Sequence, residues 1–577
     1  MSDNIYLIGH RGTGKSSLLK RLAQYFPDRI CLDLDAEIER RYSKSIFEIF
    51  SEGEKNFRAL EEKVLSEITQ QNNSPKIVAL GAGFEGKIPA GKIIWIRRES
   101  DSAGRIFFDR PRLNRKVSPI EEFLERFSER ESRYLKLADD VWTLPEGLFE
   151  LCDFEKKFFQ NEISHFGGTL SLKPEHLIRE NFKEWVHSWI TRGLEFFELR
   201  NDLLTLTQLE KALSVIPKEK RLISLRPSGA WDIDSSQAQL VDIDVGLGSK
   251  KQLKNNEFYS WHQKKDSIKE SISFIEEFSN NINFFKWSPI VNNLSELREI
   301  HNFLKEIPYI EFYPRSPDSK NPKWNWYRLL KFKRYKLSFL REAQGTSLDQ
   351  PTLTQVLMLP NYFNEFAAIL GDPVSHSYSP IFHYNFFNKR RMPYFAIPLS
   401  RDEVANENIE FLYSLGLRAA SVTSPLKQAL SSSPMNTFIW KSSSESLNIN
   451  TDYEALKKLI YKFQVDETLC WGAGAMSQVI SELLKGLQIV SIRNFENFTD
   501  LDKKKIKNII WCAGPNCKIF PDGINPENVY DLSYQESSFA REYALQKNAK
   551  YVSGLELFIE QAKLQQVFFS EHFTVKT

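Results

Sequence analysis

The sequence predicts an α/β protein of three or four domains, with a phosphate-binding sheet first, a β/α barrel next and a two-lobed α/β unit last. At 577 residues the chain is too long for one hydrophobic core. Its first and last parts each contain a strand, a glycine-rich loop and a helix in that order, and eight β-like runs lie between them. These patterns are typical of domains with parallel sheets.

Composition narrows the class of protein. Apolar residues make up 41% and charged residues 26%, as in ordinary globular proteins. Net charge is +2 without a long basic block, so we expect no nucleic acid partner. No apolar run has the length of a membrane span, and no signal-peptide core begins the chain. The five cysteines lack paired metal spacing, which suits a reducing compartment, and we expect a cytoplasmic location.

The first glycine loop, "IGHRGTGKSS", follows a strand and precedes a helix. It fits the pattern G-x-x-x-x-G-K-S, whose backbone N–H groups surround phosphate oxygens. Lys15 would reach the β- and γ-phosphates, and Ser16 would ligate magnesium. A chance match in a turn is the alternative, which the flanking strand and helix disfavour. The residues predicted to bind ATP are Gly9, Gly12, Gly14, Lys15, Ser16 and Ser17.

Further motifs narrow the phosphate acceptor: "CLDLDAEIERR", "GEKNFRALEE", "VALGAG", "DRPRL" and "ERESRYLKLAD". Their polar groups could face one cavity, where a carboxylate would bind hydroxyls and two guanidinium groups would bind a carboxylate. Each charge alone is more often a solvated surface residue. Together they indicate a small polyhydroxy acid held by Asp35, Arg58, Gly81 and Arg130.

Residues 1–155 resemble shikimate kinase, with these motifs in order. The resemblance implies that Asp33 lies near magnesium with Ser16, that Arg110 is a lid arginine closing on the phosphates, and that the four acceptor residues hold shikimate. It implies in-line phosphoryl transfer from ATP, with Lys15 and Arg110 in catalytic roles. One departure is Ala82, where the family usually has a glycine; we expect its methyl group to be tolerated.

Residues 160–358 contain the eight β-like runs, which predict an abbreviated TIM-like barrel: "HFGGTLSL", "FFELR", "RLISLR", "LVDIDVGL", "EFYSWH", "FFKWSPI", "YIEFYP" and "YKLSFL". Two successive intervals, after the third and fourth runs, are about a dozen residues or shorter, which is the minimum for a helical crossover. We therefore expect helices to be missing or shortened on one side of the barrel.

Polar residues near the strand ends are candidates for barrel chemistry. Lys286 lies in "FFKWSPI", where burial among aromatic side chains would disfavour an ammonium ion and leave an amine nucleophile for carbonyls. His262 could then move protons. From the residues alone, a strand-edge lysine with its head group in water is the more common arrangement.

The segment resembles type I dehydroquinate dehydratase, because "SWH" and "FFKWSP" match that family's histidine and Schiff-base lysine. The resemblance implies an imine between Lys286 and the substrate ketone, proton removal by His262, and loss of water. It implies that dehydroquinate is held by Glu198, Arg200, Arg226, Arg328, Thr346 and Gln350. One departure is the missing glutamate shortly after Arg226, in "RPSGAW", which in the family helps to orient the histidine.

Residues 364–577 carry polar motifs at strand and helix ends: "HSYS", "SVTSPLKQAL" and "NINTDYEAL". Alone, the first reads as a polar turn and the last as a helix N-cap. The run "TLCWGAGAMSQVISELL" places Gly472 and Gly474 before a helix, where a dinucleotide pyrophosphate binds, although the third glycine is missing. Arg493 after the next strand favours NADP over NAD, but an exposed arginine is equally ordinary.

This segment resembles shikimate dehydrogenase, with a substrate lobe over 364–462 and 553–577 and a Rossmann lobe over 463–552. The resemblance implies that Lys427 and Asp452 are the catalytic pair. It implies that the substrate is held by Ser377, Ser379, Thr423, Asn436, Asn450 and Gln561. It assigns NADPH to Gly472, Gly474, Ala475 and Arg493.

Together the segments predict an α/β fold class with a P-loop kinase domain, a shortened TIM-like barrel and a two-lobed dehydrogenase with a Rossmann lobe. The order resembles the C-terminal part of the fungal pentafunctional shikimate-pathway polypeptide. We expect a trifunctional enzyme that uses ATP, Mg²⁺ and NADPH on small-molecule substrates, with a homodimer expected by analogy. The alternatives are a kinase–dehydrogenase whose barrel is a spacer or ligand-binding module, and a regulator built from inactive enzyme folds.

Overall fold

The computed structural model describes most of the chain. The described residues are 4–71, 74–108, 116–163, 166–248, 252–278, 284–431, 435–460, 463–493, 498 and 502–573. The chain divides into two compact units, Met1–Arg98 with Arg130–Tyr362, and Glu99–Glu129 with Phe363–Thr577. The first unit thus holds most of the predicted kinase domain and the barrel, and the second holds both lobes of the predicted dehydrogenase.

The first sheet has five parallel strands in the order β2-β3-β1-β4-β5. Its strands are β1 Ile5–Ile8, β2 Ile30–Asp33, β3 Lys76–Ala79, β4 Lys92–Arg97 and β5 Asp140–Thr143. The helices are α1 Lys15–Tyr25, α2 Leu34–Tyr42, α3 Ile46–Ser51, α4 Glu54–Gln70, α5 Pro119–Leu137 and α6 Asp153–Phe159. The P-loop lies where β1 ends, so its glycines face the carboxyl edge of the sheet, where ligands bind in such folds.

The second sheet has eight parallel strands in the order β12-β11-β10-β9-β8-β7-β6-β13, which confirms all eight predicted runs. They are β6 Thr169–Ser171, β7 Phe196–Arg200, β8 Arg221–Leu225, β9 Leu240–Asp244, β10 Glu257–Trp261, β11 Phe285–Trp287, β12 Ile310–Phe312 and β13 Phe339–Leu340. The helices are α7 Pro174–Leu177, α8 Phe182–Thr191, α9 Leu206–Val215, α10 Ile268–Phe278, α11 Leu294–Leu304, α12 Asn325–Lys331 and α13 Leu353–Leu357.

Side chains close the sheet into a barrel, because no backbone ladder joins β12 to β13 in the described ranges. The Glu311 carboxylate accepts hydrogen bonds from the backbone of Lys336 and Leu337, and the Tyr313 hydroxyl donates to the Leu337 carbonyl. An apolar layer fills the interior with Phe196, Leu222, Phe258, Tyr313, Leu337 and Phe339. Its members come from both ends of the strand order, as a closed barrel requires.

The barrel lacks α-helices on one side. Between β8 and β9, and among the described residues between β9 and β10, only short 3₁₀ turns occur, at Ser235–Gln237 and Val245–Leu247. The short intervals in the sequence predicted this, since a helical crossover needs more chain. A buried Trp231 lies in the first of these loops and donates from its indole to the Leu204 carbonyl.

The kinase domain and the barrel share a buried interface within the first unit. Arg192, at the end of α8, donates two hydrogen bonds of 2.6 Å to the Asp140 carboxylate on β5. Both side chains are 1% exposed, and Lys92 adds a third contact to Asp140. A buried pair of this kind is costly to break, because the remaining charge loses its compensation.

The second unit has two five-stranded sheets, in the orders β15-β14-β16-β17-β18 and β20-β19-β21-β22-β23. The strands are β14 Phe366–Gly371, β15 Tyr394–Pro398, β16 Leu417–Val422, β17 Thr437–Trp440, β18 Ser446–Ile449, β19 Thr468–Trp471, β20 Gln488–Val490, β21 Asn508–Trp511, β22 Asn528–Asp531 and β23 Lys550–Val552. The helices are α14 Ser379–Phe382, α15 Tyr384–Asn388, α16 Asn406–Ser414, α17 Thr451–Ile460, α18 Ala475–Leu483, α19 Phe539–Gln546 and α20 Leu555–Ser570.

The second of these sheets is parallel throughout and is the predicted Rossmann lobe. The first is mixed, with β17 and β18 antiparallel to their neighbours. Although the Rossmann lobe is short, it has five strands, so it lacks few of the strands of the usual dinucleotide-binding fold. Among the described helices none is long and apolar enough to cross a membrane.

Candidate functional sites

The P-loop has the backbone that phosphate binding needs. Gly9, Gly12 and Gly14 have φ of 148°, 75° and 95°, which side chains larger than hydrogen rarely adopt. The Lys15 ammonium donates to the Gly9 and His10 carbonyls at 2.7 and 2.9 Å. Lys15 therefore lies folded over the loop, where a cation meets bound phosphate oxygens. Ser17, the last of the predicted ATP-binding residues, lies in the first turn of α1.

The two predicted magnesium residues lie together. The Ser16 hydroxyl donates to the Asp33 carboxylate at 2.5 Å, and the same carboxylate caps α2 by accepting from the backbone of Asp35. A hydroxyl and a carboxylate at the mouth of a phosphate loop are the oxygen donors that Mg²⁺ prefers. The residues present therefore fit ATP with magnesium.

The acceptor residues meet beside this loop. Gly81 leaves room for two carboxylates, since a Cβ there would lie 2.6 Å from Glu61 Oε1 and 3.0 Å from Asp35 Oδ1. The Arg58 guanidinium donates to the Glu61 carboxylate at 2.7 Å. A Cβ on Gly83 would lie 2.3 Å from the same guanidinium. The glycine turn is thus packed directly against the predicted shikimate-binding groups.

Glu61 is a site residue that the sequence reasoning missed. Its side chain is 1% exposed, and burial raises its pKa to about 7, although Arg58 opposes the shift. It fixes Arg58 one turn away on α4, and Asp35 adds to the negative charge nearby. Its position three residues after Arg58 in "GEKNFRALEE" was the available signal, since such pairs share a helix face.

The remaining predicted kinase residues differ in whether the structure describes them. Arg130 lies half-buried on α5, one turn before Tyr134, whose hydroxyl donates to the Ala82 carbonyl at 2.5 Å. The lid arginine Arg110 lies outside the described residues, so its predicted role stays a prediction. Ala82 contributes its backbone carbonyl to the glycine-rich turn, and any residue at this position would supply the same group.

The barrel encloses a cavity of about 380 Å³, which is in the range of small-molecule sites. Lys286 and His262 both line it. So do the predicted dehydroquinate-binding residues Glu198, Arg200, Arg226, Arg328, Thr346 and Gln350. The cavity also contains groups that were not predicted, among them Asp202, Asp244 and Arg315.

Lys286 is buried in the cavity wall, with its residue 5% exposed. Its ammonium group lies 2.8 Å from Asp242 Oδ2, 3.6 Å from Glu198 Oε1 and 4.4 Å from the centre of the Phe339 ring. The head group is therefore not in bulk water, unlike that of a typical strand-edge lysine. The expected apolar environment is wrong in one respect, since two carboxylates accompany the aromatic ring.

These carboxylates belong to a balanced buried cluster of two anions and two cations. Arg226 donates to Asp242 at 2.8 Å and completes the cluster. Burial would raise the pKa of the Glu198 carboxyl, but neighbouring cations, Lys286 first, lower it to about 2. Burial likewise opposes ionisation of Asp242, but the Arg226 and Lys286 charges hold its pKa well below the usual range. Both carboxyls are anionic at neutral pH.

His262 is held by Asp244, whose Oδ2 lies 2.7 Å from the histidine Nδ1. With Nδ1 as donor, Nε2 is left unprotonated in the neutral ring. Burial and the Arg226 charge lower the pKa of His262 to about 4, while the hydrogen bond to Asp244 opposes them. The histidine is therefore a neutral imidazole at physiological pH, in the protonation state that a general base needs.

Asp244 is the carboxylate that contacts His262, in a sequence that lacks the glutamate expected shortly after Arg226. It comes from β9, two residues after Asp242, so both carboxylates point to the same face of that strand. The sequence "LVDIDVGL" contains this alternation, but only the strand order places it next to β10 and His262. Sequence reasoning missed both aspartates for that reason.

The predicted arginines are already engaged. Arg200 forms a two-point ion pair with Asp202 at 2.6 and 2.9 Å. Arg226 is tied to Asp242, so it supports the charge cluster as well as lining the cavity. Arg328 donates to the Pro314 carbonyl at 3.0 Å from α12. On the closing loop, the Thr346 hydroxyl donates to the Gln350 side chain at 3.1 Å.

The dehydrogenase pair is also assembled. The Lys427 ammonium donates to Asp452 Oδ2 at 2.6 Å, and the Met476 sulfur lies 3.8 Å from the same nitrogen. Met476 comes from α18, directly after the second glycine-rich turn. The predicted catalytic lysine thus contacts the helix that follows the second glycine-rich turn in the same unit, and Met476 was not predicted.

The predicted substrate ligands make hydrogen bonds and packing contacts within this unit. Asn436 Nδ2 donates to the Thr451 hydroxyl at 2.9 Å and to Gln561 Oε1 at 3.4 Å. Asn450 accepts from the Asp452 backbone at 3.1 Å, so it serves as the helix cap that its motif also suggested. The Ser377 hydroxyl accepts from the Ser379 backbone at 3.2 Å. Thr423 packs against Gly371, where a Cβ would lie 2.4 Å from its methyl group.

The second glycine turn fits a dinucleotide. Gly472 ends the strand β19 with φ of 110°, and a Cβ there would lie 2.5 Å from the Ala513 nitrogen. Gly474 caps the N-terminus of α18, which attracts phosphate. Arg493 is exposed after β20, and the Ala475 side chain is outside the described part of the chain.

The fold and sites define P-loop kinase and two-lobed dehydrogenase domains, and comparisons with known proteins agree. The family model described as shikimate kinase matches residues 11–144, and that of the shikimate dehydrogenase substrate binding domain matches 369–435. A shikimate kinase of Aeromonas salmonicida is 34% identical over 149 residues, 24% of this chain and 85% of that protein. The chain therefore belongs, through its first domain, to the shikimate kinase family.

Other relatives are matched over shorter parts. A bifunctional shikimate kinase/3-dehydroquinate synthase of Thermotoga maritima is 41% identical over 80 residues, 14% of this chain and 16% of that protein. A shikimate kinase of Thermobifida fusca is 37% identical over 114 residues, 18% of this chain and 64% of that protein. The chain thus spans less than two thirds of either protein.

Two solved structures are similar to parts of this chain. Shikimate dehydrogenase of Aquifex aeolicus is 21% identical with a TM-score of 0.30, covering 37% of this chain and 94% of that one. Dehydroquinate dehydratase and shikimate dehydrogenase from S. pombe AroM is 15% identical with a TM-score of 0.25, covering 72% and 98%. With scores this low, the function proposed below rests on the sites and the family matches.

Proposed function

We propose that this chain is a trifunctional enzyme acting on one carbocyclic acid at three sites. It dehydrates dehydroquinate in the barrel, reduces dehydroshikimate with NADPH in the two-lobed unit, and phosphorylates shikimate with ATP in the first domain. The observation that carries the full proposal is the barrel cavity, where buried Lys286 and the neutral His262 line one space. The family matches to the other two domains supply the pathway.

The kinase site holds its reactants by charge and position. Bound ATP with Mg²⁺ would supply the phosphoryl group, and Lys15, Ser16 and Asp33 would hold them. On the acceptor side, Asp35 would bind hydroxyls of shikimate, and Arg58, fixed by Glu61, would bind its carboxylate. Positioning and neutralisation of charge are the main contributions a protein makes to this reaction.

Gly81→Ala is expected to raise KM for shikimate about ten-fold while leaving KM for ATP within about two-fold. The added methyl would lie against Glu61 and Asp35, and overpacking of this kind costs about 1–3 kcal/mol. Steady-state kinetics with each substrate varied in turn measures the effect. Ala82→Gly is the matched control and should stay near wild type; equal effects of both changes would contradict this acceptor site.

The dehydratase reaction follows from three side chains. Lys286 would first give up its ammonium proton, and the amine would then attack the substrate ketone; the addition product takes up a proton and loses water, which leaves a protonated imine. His262 then takes a proton from the adjacent carbon through Nε2 and gives it to the β-hydroxyl, which leaves as water. Hydrolysis of the imine releases dehydroshikimate and restores the amine. Asp244 keeps the proton of His262 on Nδ1 throughout.

Asp244→Asn is expected to lower kcat for dehydration by about 10²- to 10⁴-fold, as loss of an orienting carboxylate does elsewhere. An asparagine amide can donate to Nδ1, which moves the histidine proton to Nε2 and removes the base. Because the hydrogen bond with the Asp244 carboxylate raises the pKa of His262, its loss also moves the acid limb of kcat/KM below pH 4. Asp244→Glu should recover activity; an Asn variant with unchanged kcat and acid limb would contradict the role.

The reductase uses Lys427 and Asp452. Bound NADPH would supply a hydride, and Gly472, Gly474 and Arg493 would hold it. Lys427 would donate a proton to the carbonyl oxygen of dehydroshikimate as the hydride adds to its carbon. Asp452 holds the lysine at 2.6 Å and would bind a neighbouring hydroxyl.

One experiment tests the whole proposal. Purified protein is incubated with dehydroquinate, ATP, Mg²⁺ and NADPH, and the products are followed by mass. Shikimate 3-phosphate is expected, with one NADPH and one ATP consumed per molecule. Turnover of dehydroshikimate and shikimate without turnover of dehydroquinate would favour the alternative, a kinase–dehydrogenase with an inactive barrel.

A further inference from the structure

The closing loop of the barrel is a strap that spans Arg341–Gln350. It leaves β13 and carries Thr346 and Gln350 to the cavity. Its two ends are tied together, because the Arg341 guanidinium donates to the Gln350 carbonyl at 2.8 Å. Whatever fixes the start of the strap therefore also fixes the residue that faces the substrate.

The start of the strap is fixed by a buried ion pair. Glu342 is 4% exposed and accepts from the Arg179 guanidinium and from the Trp185 indole, the latter at 3.2 Å. The same guanidinium donates to the Ala138 carbonyl, which lies between α5 and β5 of the kinase domain. One arginine of the barrel thus joins the strap to the kinase backbone.

The next residue enters the kinase core itself. Ala343 is buried in the apolar cluster of the kinase domain with Leu135, Ala138 and Val141. It has φ of 51°, a left-handed conformation that a non-glycine residue keeps only when its surroundings hold it. The third residue of the strap is therefore packed in the core of the kinase domain.

The far end of the strap has a separate anchor within the barrel. Asp349 accepts from the Ser316 hydroxyl and the Trp324 backbone at 2.6 and 2.9 Å. The substrate-facing part of the strap is thus suspended between a barrel anchor and a kinase anchor. Removal of either anchor should loosen it.

We propose that the kinase domain is part of the scaffold of the barrel site, and that Glu342 is the positioning residue through which it orders the strap over the cavity. This inference rests on the proposed dehydratase function only for its catalytic consequence. The kinase domain would then contribute to substrate binding in the barrel without touching the substrate.

Glu342→Gln tests the inference in the full-length protein. Amide exchange of 343–350 is expected to rise about ten-fold, because the strap opens locally. KM for dehydroquinate is expected to rise about three- to ten-fold with kcat nearly unchanged, the pattern of lost binding. Trp185→Phe, which removes one hydrogen bond to Glu342, should give a smaller change of the same kind.

Asp140→Asn is the matched control, since it breaks the other buried ion pair of the same interface, in which the carboxylate pairs with Arg192 and Lys92 rather than with a strap residue. It should lower the melting temperature yet leave strap exchange and KM near wild type. The inference is overturned if Glu342→Gln leaves strap exchange unchanged, or if the control changes it equally. If the wild-type protein does not turn over dehydroquinate, the proposed dehydratase function is wrong. The amide exchange of the strap would still test whether the kinase domain orders it.

Discussion

Lys286→Met is expected to abolish covalent trapping of dehydroquinate by borohydride and to lower dehydration by about 10⁴-fold or more, as loss of a catalytic nucleophile does elsewhere. The reason is that, among the described residues that line the cavity, no other side chain is an amine: the remaining cations, such as Arg226 and Arg315, are guanidinium groups that stay protonated. Intact mass after reduction measures the adduct. Kinase and dehydrogenase rates should stay within about two-fold.

The variant also disturbs a charge cluster, which a control must separate from chemistry. Asp242 and Glu198 would lose one of their cationic partners, and a broken buried pair costs about 3–5 kcal/mol. Lys286→Arg keeps the positive charge without a nucleophilic amine, so it should fold more stably yet still form no adduct. An adduct that persists in both variants would rule out Lys286 as the Schiff-base residue.

Lys427→Met is expected to lower kcat for dehydroshikimate reduction by about 10²- to 10⁴-fold, with a smaller change in KM. The reaction would lose its proton donor, and Asp452 would lose the partner that lies 2.6 Å away. Loss of NADPH absorbance measures the rate, and dehydration and kinase rates serve as internal references.

Lys458→Met is the matched control for that change. Lys458 lies on α17 with Asp452 and pairs with Glu560 at 3.3 Å on the protein surface. Its replacement should leave reduction near wild type, because exposed pairs contribute little. A Lys427 variant as active as this control would contradict the acid–base assignment.

Much of the fold was predictable because local patterns reflect local physics. The eight apolar runs of the barrel and its missing helices follow from strand periodicity and interval length. The glycine loops follow from steric demands of phosphate binding. In each case the sequence pattern and the structural element that it predicts lie within about twenty residues of one another along the chain.

The rest depended on contacts between distant segments. Asp244 reaches His262 only because β9 lies beside β10, and "RPSGAW" alone suggested that the histidine had no carboxylate partner. Glu61 becomes important only when Gly81 is brought against it. Ala343 in the kinase core has no sequence signal at all, since any small apolar residue fits that description.

The buried Arg192–Asp140 ion pair affects whether the kinase domain and the barrel can be expressed as separate proteins. A barrel expressed from residue 160 onward would expose Arg192 to water, whereas the intact chain buries it against Asp140. In the separate kinase domain, Asp140 would keep its ion pair with Lys92 but lose the one with Arg192. Such halves should be less soluble and less heat-resistant than the intact polypeptide. The kinase domain and the barrel are thus expected to depend on each other for stability, so that neither should tolerate separation well.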